Sequence, residues 1–322
     1  MNRKTKNVVL GVNCALLCVA LLAGQTSAEE GGSGHYLPGS MASFMDGVPA
    51  EPTVIARLNV ISYDGAAGAN RSIPIAGESA VNASVKSSAL GLTLLWAPDW
   101  DFGDKWSYSM STTIPMVSME VSADIDHGND RFRQGDKETA LGDILLIPLM
   151  FNYQHSADFS TNYRLAIYAP TGSYSAGKLA NTGKNFWTYE PTVALMYFGQ
   201  KNGIEASLFM GVDFNMENSD TDYKSGTQAH LDGTLAQHFP LWSGLASAGI
   251  TGFVYRQIKG DSGSGATFGD FKARSNGVGP VISWVSKVKD IELLAELKWL
   301  KEFDVKNRFE GDTIFLKIVG KF

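Results

Sequence analysis

Cysteine is almost absent from this sequence, which contains only Cys14 and Cys18. Both lie within the first 28 residues, where we predict a cleaved secretion signal, so the mature chain would contain no thiol. This absence excludes a disulfide framework, a cysteine nucleophile and a cysteine-ligated metal site.

The first 28 residues have the layout of a secretory signal peptide. Positive residues open the segment, an apolar run covers residues 8–23, and Ser27 and Ala28 form a small-residue cleavage site. An N-terminal membrane anchor is the alternative, but Asn13 interrupts the run, which is short for a spanning helix. A lipoprotein signal is a second alternative, although the residue before Cys18 is not small. We predict cleavage after Ala28.

Positive charge and long apolar runs are also scarce. The formal net charge is −6, and cleavage would remove three positive charges and no acids, so we expect no nucleic-acid partner. Beyond the signal, no apolar stretch is long enough for a transmembrane helix. A closed β-barrel can span a membrane with only a weak hydropathy signal, so the period of the hydrophobic pattern becomes the deciding observation.

The C-terminal stretch GDTIFLKIVGKF alternates between two faces, as a β-strand does. One face is apolar or small and ends on Phe322, while the other carries Lys317 and Lys321. Such an apolar face with a terminal aromatic resembles the insertion signal of bacterial outer-membrane barrels. The run IELLAELKWL alternates in the same way. A helix can also be drawn through it, but the alternation favours a strand.

Segments rich in alternating, aromatic and β-branched residues predict twelve strands. Their spans are 53–63, 87–97, 106–123, 141–155, 161–170, 186–199, 204–216, 227–238, 242–257, 273–286, 291–302 and 311–322. The connections are alternately long and short, and aromatic residues such as Trp96, Trp100 and Trp106 cluster beside turns, as in membrane-interface belts. We therefore predict an all-β, up-and-down antiparallel transmembrane barrel over residues 53–322, with both termini periplasmic.

The same alternation assigns side chains to the barrel interior. An Arg or Lys that faced lipid near the midplane would cost about 2–4 kcal/mol, so charged residues within strands should face the lumen or lie near a rim. The candidate lumen or substrate residues are His35, Tyr36, Arg164, Glu190, Glu205, Phe209, Asp213, His230 and Arg256. The sequence leaves open whether they pair with one another in a filled barrel or contact a passing solute.

Motifs for chemistry are weak. The five histidines show no metal-ligand spacing, and neither a nucleophilic serine turn nor a glycine-rich phosphate loop is present. The acidic stretches DIDHGND and NSDTD do not match a calcium-binding loop and are interpreted as solvated loops. We predict no catalytic residue, metal ligand or cofactor. A hydrolase site assembled across several strands is an alternative that leaves no local signature.

Four stretches together resemble a family assigned to the meta-cleavage pathway of phenol degradation. They are GGSGHYLPGS, LNVISYDGAAG, LGDILLIPLMFNY and YRLAIYAPTGSY, and the resemblance extends from about Gly31 to Phe322. The matching positions, besides His35 and Tyr36, are Leu37, Pro38, Gly39, Gly142, Asp143, Pro148, Pro170, Thr171 and Gly172. The resemblance implies an outer-membrane barrel linked to the catabolism of aromatic or other hydrophobic compounds, and it supplies no catalytic residues.

The expected function is therefore passive passage of small hydrophobic or aromatic solutes across the outer membrane of a Gram-negative bacterium. Expected partners are outer-membrane lipid, periplasmic chaperones and the barrel-assembly machinery. The alternatives are an outer-membrane hydrolase and a structural or adhesive barrel. Residues 29–52 are expected to form an N-terminal plug at or inside the barrel mouth, with a disordered linker as the alternative.

Overall fold

The structure is a computed structural model that describes residues 30–67, 72–76, 78–127, 130–266 and 272–322. The predicted signal peptide and its cleavage site lie outside the described residues. Within the described part of the chain, no helix is long and apolar enough to cross a membrane.

The described residues form fourteen strands, and each pairs with its neighbours in antiparallel fashion. They are β1 (Thr53–Ala66), β2 (Ser72–Ile75), β3 (Glu78–Ala97), β4 (Trp106–His127), β5 (Asp130–Leu141), β6 (Ile144–Ser156), β7 (Phe159–Ala169), β8 (Thr188–Phe198), β9 (Ile204–Asn215), β10 (Gln228–Leu241), β11 (Gly244–Gln257), β12 (Arg274–Val288), β13 (Ile291–Lys306) and β14 (Glu310–Lys321). Two single turns of 3-10 helix, Glu30–Gly32 and Phe44–Asp46, precede β1.

Twelve of these strands close into a barrel, as the alternating pattern predicted. The pairing runs from β14 down to β6, continues through β4 and β3 to β1, and closes where β1 pairs with β14. Each of the twelve predicted spans corresponds to one barrel strand. The predicted antiparallel barrel is therefore confirmed.

The other two strands, β2 and β5, fall in segments predicted as loops. β2 pairs only with β3, and β5 pairs only with β4. β5 carries charged residues on both faces, as in DRFRQGDKETAL, so it has no apolar alternation from which a strand could be predicted. It forms because β4 extends beyond the barrel wall and provides unpaired backbone groups for it.

The alternation of side chains separates an apolar outer surface from an interior that contains the buried polar and charged residues. In β14, Phe315, Lys317 and Val319 are buried, whereas Ile314 and Ile318 are exposed. Most other strands alternate in the same way. Because a slip of one residue would turn Lys317 outward, the pairing register is strongly determined.

The two ends of the barrel differ, and we name them by their connections. At the short-turn end lie the connections 98–105, 157–158, 199–203, 242–243 and 289–290, together with the start of β1 and Phe322. There, Thr53 Oγ1 donates a hydrogen bond to the Phe322 carbonyl at 2.8 Å. The remaining connections are longer on the whole and define the long-loop end.

Residues 30–52, here called the N-terminal segment, cross the lumen from one end to the other. Gly32 packs beside Ile73 and Phe309 at the long-loop end, and Phe44 contacts the His238 ring at the short-turn end, with ring centroids 5.0 Å apart. The sequence-based prediction put both termini on one side. In the structure, the first described residues lie at the opposite end from Phe322, because the segment traverses the lumen before β1 begins.

Candidate lumen site

His35 connects the part of the N-terminal segment nearest the long-loop end with the barrel. Its Nε2 lies 2.9 Å from Asp143 Oδ2, and its Nδ1 lies 2.7 Å from Thr188 Oγ1. The Asp143 carboxylate also accepts the backbone N–H groups of Gly172 at 2.8 Å and Lys184 at 2.6 Å. Two family-marker residues, His35 and Asp143, are therefore in direct contact, and Asp143 also links both ends of the loop between β7 and β8.

The charge state of this pair follows from its burial. Burial lowers the pKa of His35 below its ordinary value, although the hydrogen bond with Asp143 opposes the shift. Burial alone would raise the pKa of Asp143, but the interactions with His35 and the backbone hydrogen bonds from Gly172 and Lys184 together outweigh it, and the net pKa is lowered. The lowered pKa of His35 favours a neutral imidazole, and the lowered pKa of Asp143 favours an ionised carboxylate beside it.

Acidification should therefore loosen the N-terminal segment. A lowered histidine pKa means that the bound segment takes up fewer protons than a released one at pH values just below about 6.5, so binding weakens as the pH falls through that range. The lowered pKa of Asp143 affects binding only at more acidic pH.

We expect faster hydrogen–deuterium exchange of residues 30–40 at pH 5.5 than at pH 7.5, after correction for intrinsic exchange. Lys184 and Tyr168 also face His35. An unchanged pH response in His35→Gln would contradict this assignment.

Several other family-marker residues lie near the contact between Asp143 and the loop that connects β7 and β8. A Cβ atom on Gly172 would lie 2.7 Å from the Gly183 Cα atom, and one on Gly142 would also meet this loop at 3.2 Å. Pro148 lies at a shift in the register between β6 and β7, and Pro170 follows the last residue of β7. Gly142, Pro170 and Gly172 therefore shape the backbone next to Asp143, whereas Pro148 lies farther along β6.

The middle of the N-terminal segment contacts β10. The Tyr36 ring stacks on the His230 imidazole with centroids 3.6 Å apart. His230 Nδ1 lies 2.7 Å from Asp232 Oδ2, and its Nε2 lies 3.3 Å from Glu190 Oε1. Asp232 also accepts the Gly39 backbone N–H at 2.7 Å. A buried network thus connects the segment with β8 and β10.

Gly39 occupies a position that tolerates no side chain. Its φ is +84°, and a Cβ atom there would clash with Leu300 and lie 3.2 Å from Phe253. We expect Gly39→Ala to cost about 1–3 kcal/mol, because strained backbone and overpacking add together, and to lower the thermal midpoint. The matched control is Gly103→Ala, because Gly103 also has a positive φ of +87° but nothing within 4 Å. Equal losses in the two variants would contradict the packing argument.

The part of the N-terminal segment nearest the short-turn end contacts a buried network of ion pairs. Lys317 Nζ lies 2.7 Å from Asp46 Oδ2 and 3.4 Å from Glu296 Oε1, and Arg57 Nη1 lies 3.1 Å from Asp46 Oδ1. Burial alone would raise the pKa of Asp46, but Lys317 and Arg57 outweigh it and lower the pKa below its ordinary range. Asp46 is therefore ionised at all physiological pH values.

Several sequence-predicted residues contact the same segment. The Arg164 guanidinium donates to a backbone carbonyl of the segment and lies 5.1 Å from the centre of the Phe209 ring. Glu205 accepts the Phe44 N–H at 2.8 Å and lies 2.7 Å from His238 Nε2. Arg164, Glu205 and Phe209 are all buried. They pair within the protein around the N-terminal segment.

Arg256 is placed differently from the other candidates. It is half-buried and alternates with the buried residues Tyr255 and Gln257, so it points outward near the end of β11. Its guanidinium donates to the Ser275 carbonyl at 3.0 Å and to Asn276 Oδ1 at 2.9 Å. Arg256 is therefore a rim residue and not a lumen residue, because a charge at a strand end can bond locally without facing inward.

Sequence reasoning did not select Lys298 and Lys317 as site residues, although both lie on the inward face of alternating strands. Lys298 Nζ donates to the carbonyls of Gly39 at 3.1 Å and Met41 at 2.7 Å. The available signal was their position on the inward face of alternating strands. A buried lysine must find hydrogen-bond acceptors within the protein.

A cavity of about 350 Å³ lies on the other side of the segment. Its wall is formed mainly by β1, β3, β4 and β6, where inward side chains are small, such as Ala89, Gly91 and Thr93. A second cavity of about 160 Å³ lies toward the long-loop end, and both cavities border Leu37 and Ile61. The segment is thus bonded mainly to β7–β10, β13 and β14, and it leaves space along the wall of β1, β3, β4 and β6.

The chain matches a protein-family model over residues 69–318, and the description of that family is "Putative MetA-pathway of phenol degradation". The chain belongs to this phenol-degradation family. The match includes the marker residues Gly142, Asp143, Pro148 and Pro170 and begins after the His35–Gly39 stretch. A search of curated proteins returned no significant match.

Two solved structures are similar to this phenol-degradation family member. The COG4313 outer membrane channel from Pseudomonas putida F1 is 16% identical, with a TM-score of 0.64, and the alignment covers 89% of this chain and 100% of that chain. The beta domain of the Bordetella autotransporter Brka is 11% identical, with a TM-score of 0.47 and coverage of 84% and 99%. At 16% identity, the first similarity supports the barrel fold.

Proposed function

We propose that this protein is a passive outer-membrane channel for small hydrophobic or aromatic molecules. The observation that carries the proposal is the cavity of about 350 Å³ beside the N-terminal segment. Because an apolar protein cavity of about 150 Å³ binds benzene, this space can hold a one-ring or two-ring aromatic compound. The family's association with phenol degradation supports the same solute class.

The proposed path runs along the wall of β1, β3 and β4. It passes from the cavity near the long-loop end into the larger cavity, past Leu37, Ile61 and Ala89, which border both. In outer-membrane barrels, long loops face outward and short turns face the periplasm, so entry is at the long-loop end. Diffusion down a gradient requires weak binding on this path. The larger cavity is lined by apolar side chains such as Ile55, Leu95 and Met119 together with polar and charged ones such as Asn59, Thr93 and Arg57.

The N-terminal segment is a plug that narrows the lumen. Its bonds go to β7–β10, β13 and β14 and to Arg57 of β1, so it excludes water and ions from most of the cross-section. Insertion by periplasmic chaperones and the barrel-assembly machinery belongs to the same proposal. It is supported by the closed barrel and by the apolar outer face of β14, on which Ile314 and Ile318 are exposed.

Flux into vesicles tests the proposal. Purified protein in lipopolysaccharide-containing vesicles should admit phenol faster than empty vesicles do. Ala89→Trp should reduce this excess at least severalfold, because the indole would fill the path. The matched control is Leu90→Trp, because Leu90 is the next residue on β3 and faces outward, with 49% exposure.

Two outcomes would reject the channel. One is flux equal to that of empty vesicles, and the other is an equal loss of flux in the two tryptophan variants. Hydrolysis of ester probes that is lost in His230→Ala would support the hydrolase alternative instead. A folded barrel with neither flux nor hydrolysis would support a structural role.

A further inference from the structure

A cluster of acidic and histidine side chains lies on the side of the barrel that contacts the N-terminal segment. The proposed passage of solutes does not involve it. Glu190, Asp213 and His230 come from the adjacent strands β8, β9 and β10, and all three are buried. One potential ligand atom from each residue lies within 4.8 Å of the others. These side-chain types are ligands of transition-metal cations.

The orientation of His230 suits a ligand. Its Nδ1 lies 2.7 Å from Asp232 Oδ2, which directs Nε2 toward Glu190. A metal-binding histidine commonly donates its other ring N–H to a carboxylate, which fixes the tautomer and makes the ligand nitrogen more basic. Glu190 is held in turn, because it accepts hydrogen bonds from the hydroxyls of Tyr168 and Thr192, each at 2.9 Å.

Gln228 provides an independent observation. It is fully buried, and its backbone pairs with Asp213, so the two side chains leave neighbouring strands on the same inward face. Within the described part of the chain, neither amide atom of Gln228 has a hydrogen-bond partner. A buried side-chain amide without a hydrogen-bond partner is unfavourable, and its carbonyl oxygen is a suitable additional metal ligand.

The charges of the cluster point the same way. The carboxylates of Glu190, Asp213 and Asp232 lie close to a single imidazole. Arg164 interacts electrostatically with Glu190, and Lys298 does so with Asp232. A divalent cation bound between the carboxylates and the imidazole would add further favourable charge interactions.

We propose that Glu190, Asp213 and His230 bind a divalent transition-metal cation, with Gln228 as an additional ligand. A nitrogen ligand with oxygen ligands favours Zn²⁺ over Ca²⁺ and Mg²⁺, which select oxygen ligands. Tyr36 stacks directly on the His230 ring, so the N-terminal segment covers the site, and a bound cation would strengthen the wall to which the segment attaches. The site does not depend on the passage of solutes.

Zn²⁺ binding to the full-length protein in detergent tests the proposal. After chelator treatment and dialysis, isothermal titration calorimetry and metal analysis should detect one equivalent of bound Zn²⁺. Co²⁺ in its place should give the visible absorption of a four- or five-coordinate site. The double variant Glu190→Gln/Asp213→Asn should bind Zn²⁺ at least 100-fold more weakly, and Gln228→Leu about 10-fold more weakly.

The matched control is Glu205→Gln. Glu205 also forms a buried pair with a lumen histidine, at 2.7 Å from His238 Nε2, but that pair is not part of the three-residue cluster. This variant should bind one equivalent with unchanged affinity. Gel mobility before and after boiling reports whether each variant is folded. If the double variant does not fold, Gln228→Leu and His230→Gln serve in its place. A folded wild-type protein without stoichiometric Zn²⁺, or equal affinity in wild type and the cluster variants, would overturn the proposal.

Discussion

Deletion of residues 29–40 should raise the single-channel conductance of this barrel severalfold in planar lipid bilayers. The deletion removes the contacts of His35 with Asp143, of Tyr36 with His230 and of Gly39 with Asp232. Residues 41–52 remain attached through Asp46, so the widened region should be the half of the lumen nearest the long-loop end.

The disordered-linker alternative makes the opposite prediction for the same measurement. If residues 29–40 did not narrow the lumen, the conductance would not change on deletion, and the plug would be rejected. The double substitution His35→Ala/Tyr36→Ala keeps the length of the segment but removes two of its ring contacts. It should therefore give a conductance between those of the wild type and the deletion.

The second large effect is expected from Lys317→Met. The substitution leaves the buried carboxylates of Asp46 and Glu296 without their shared cation, and removing one partner of a buried pair typically costs about 3–5 kcal/mol. Arg57 and Lys298 remain nearby and compensate only in part. The thermal midpoint should fall clearly, and hydrogen–deuterium exchange in residues 41–52 should accelerate.

Lys321→Met is the matched control for that experiment, because it alters the same residue type on the same strand. Lys321 pairs with Glu292 at 3.8 Å, and both side chains are more than a third exposed. Exposed pairs contribute about 0–1 kcal/mol, so this variant should be close to wild type. If the two variants unfolded at the same temperature, the ion network around Asp46 would not be what holds the segment.

Period-two alternation by itself determined the barrel strands and their faces. It placed Lys317 and Glu205 inside because lipid accepts neither, and it placed Trp299 and Phe322 on the outer face. Alternation is a local property of the chain, so no contact between distant residues is needed to recognise it. β5 lacks it and β2 is too short to show it; both form because longer neighbours provide pairing partners.

The course of the N-terminal segment was decided by the tertiary structure alone. Its sequence predicted a packed element at the barrel mouth, but not one that crosses the entire lumen. The partners of His35 and Asp46 lie 108 and 271 residues away along the chain, at Asp143 and Lys317. Closure of the barrel brings such distant residues to one interior surface, and no local pattern encodes which of them will meet.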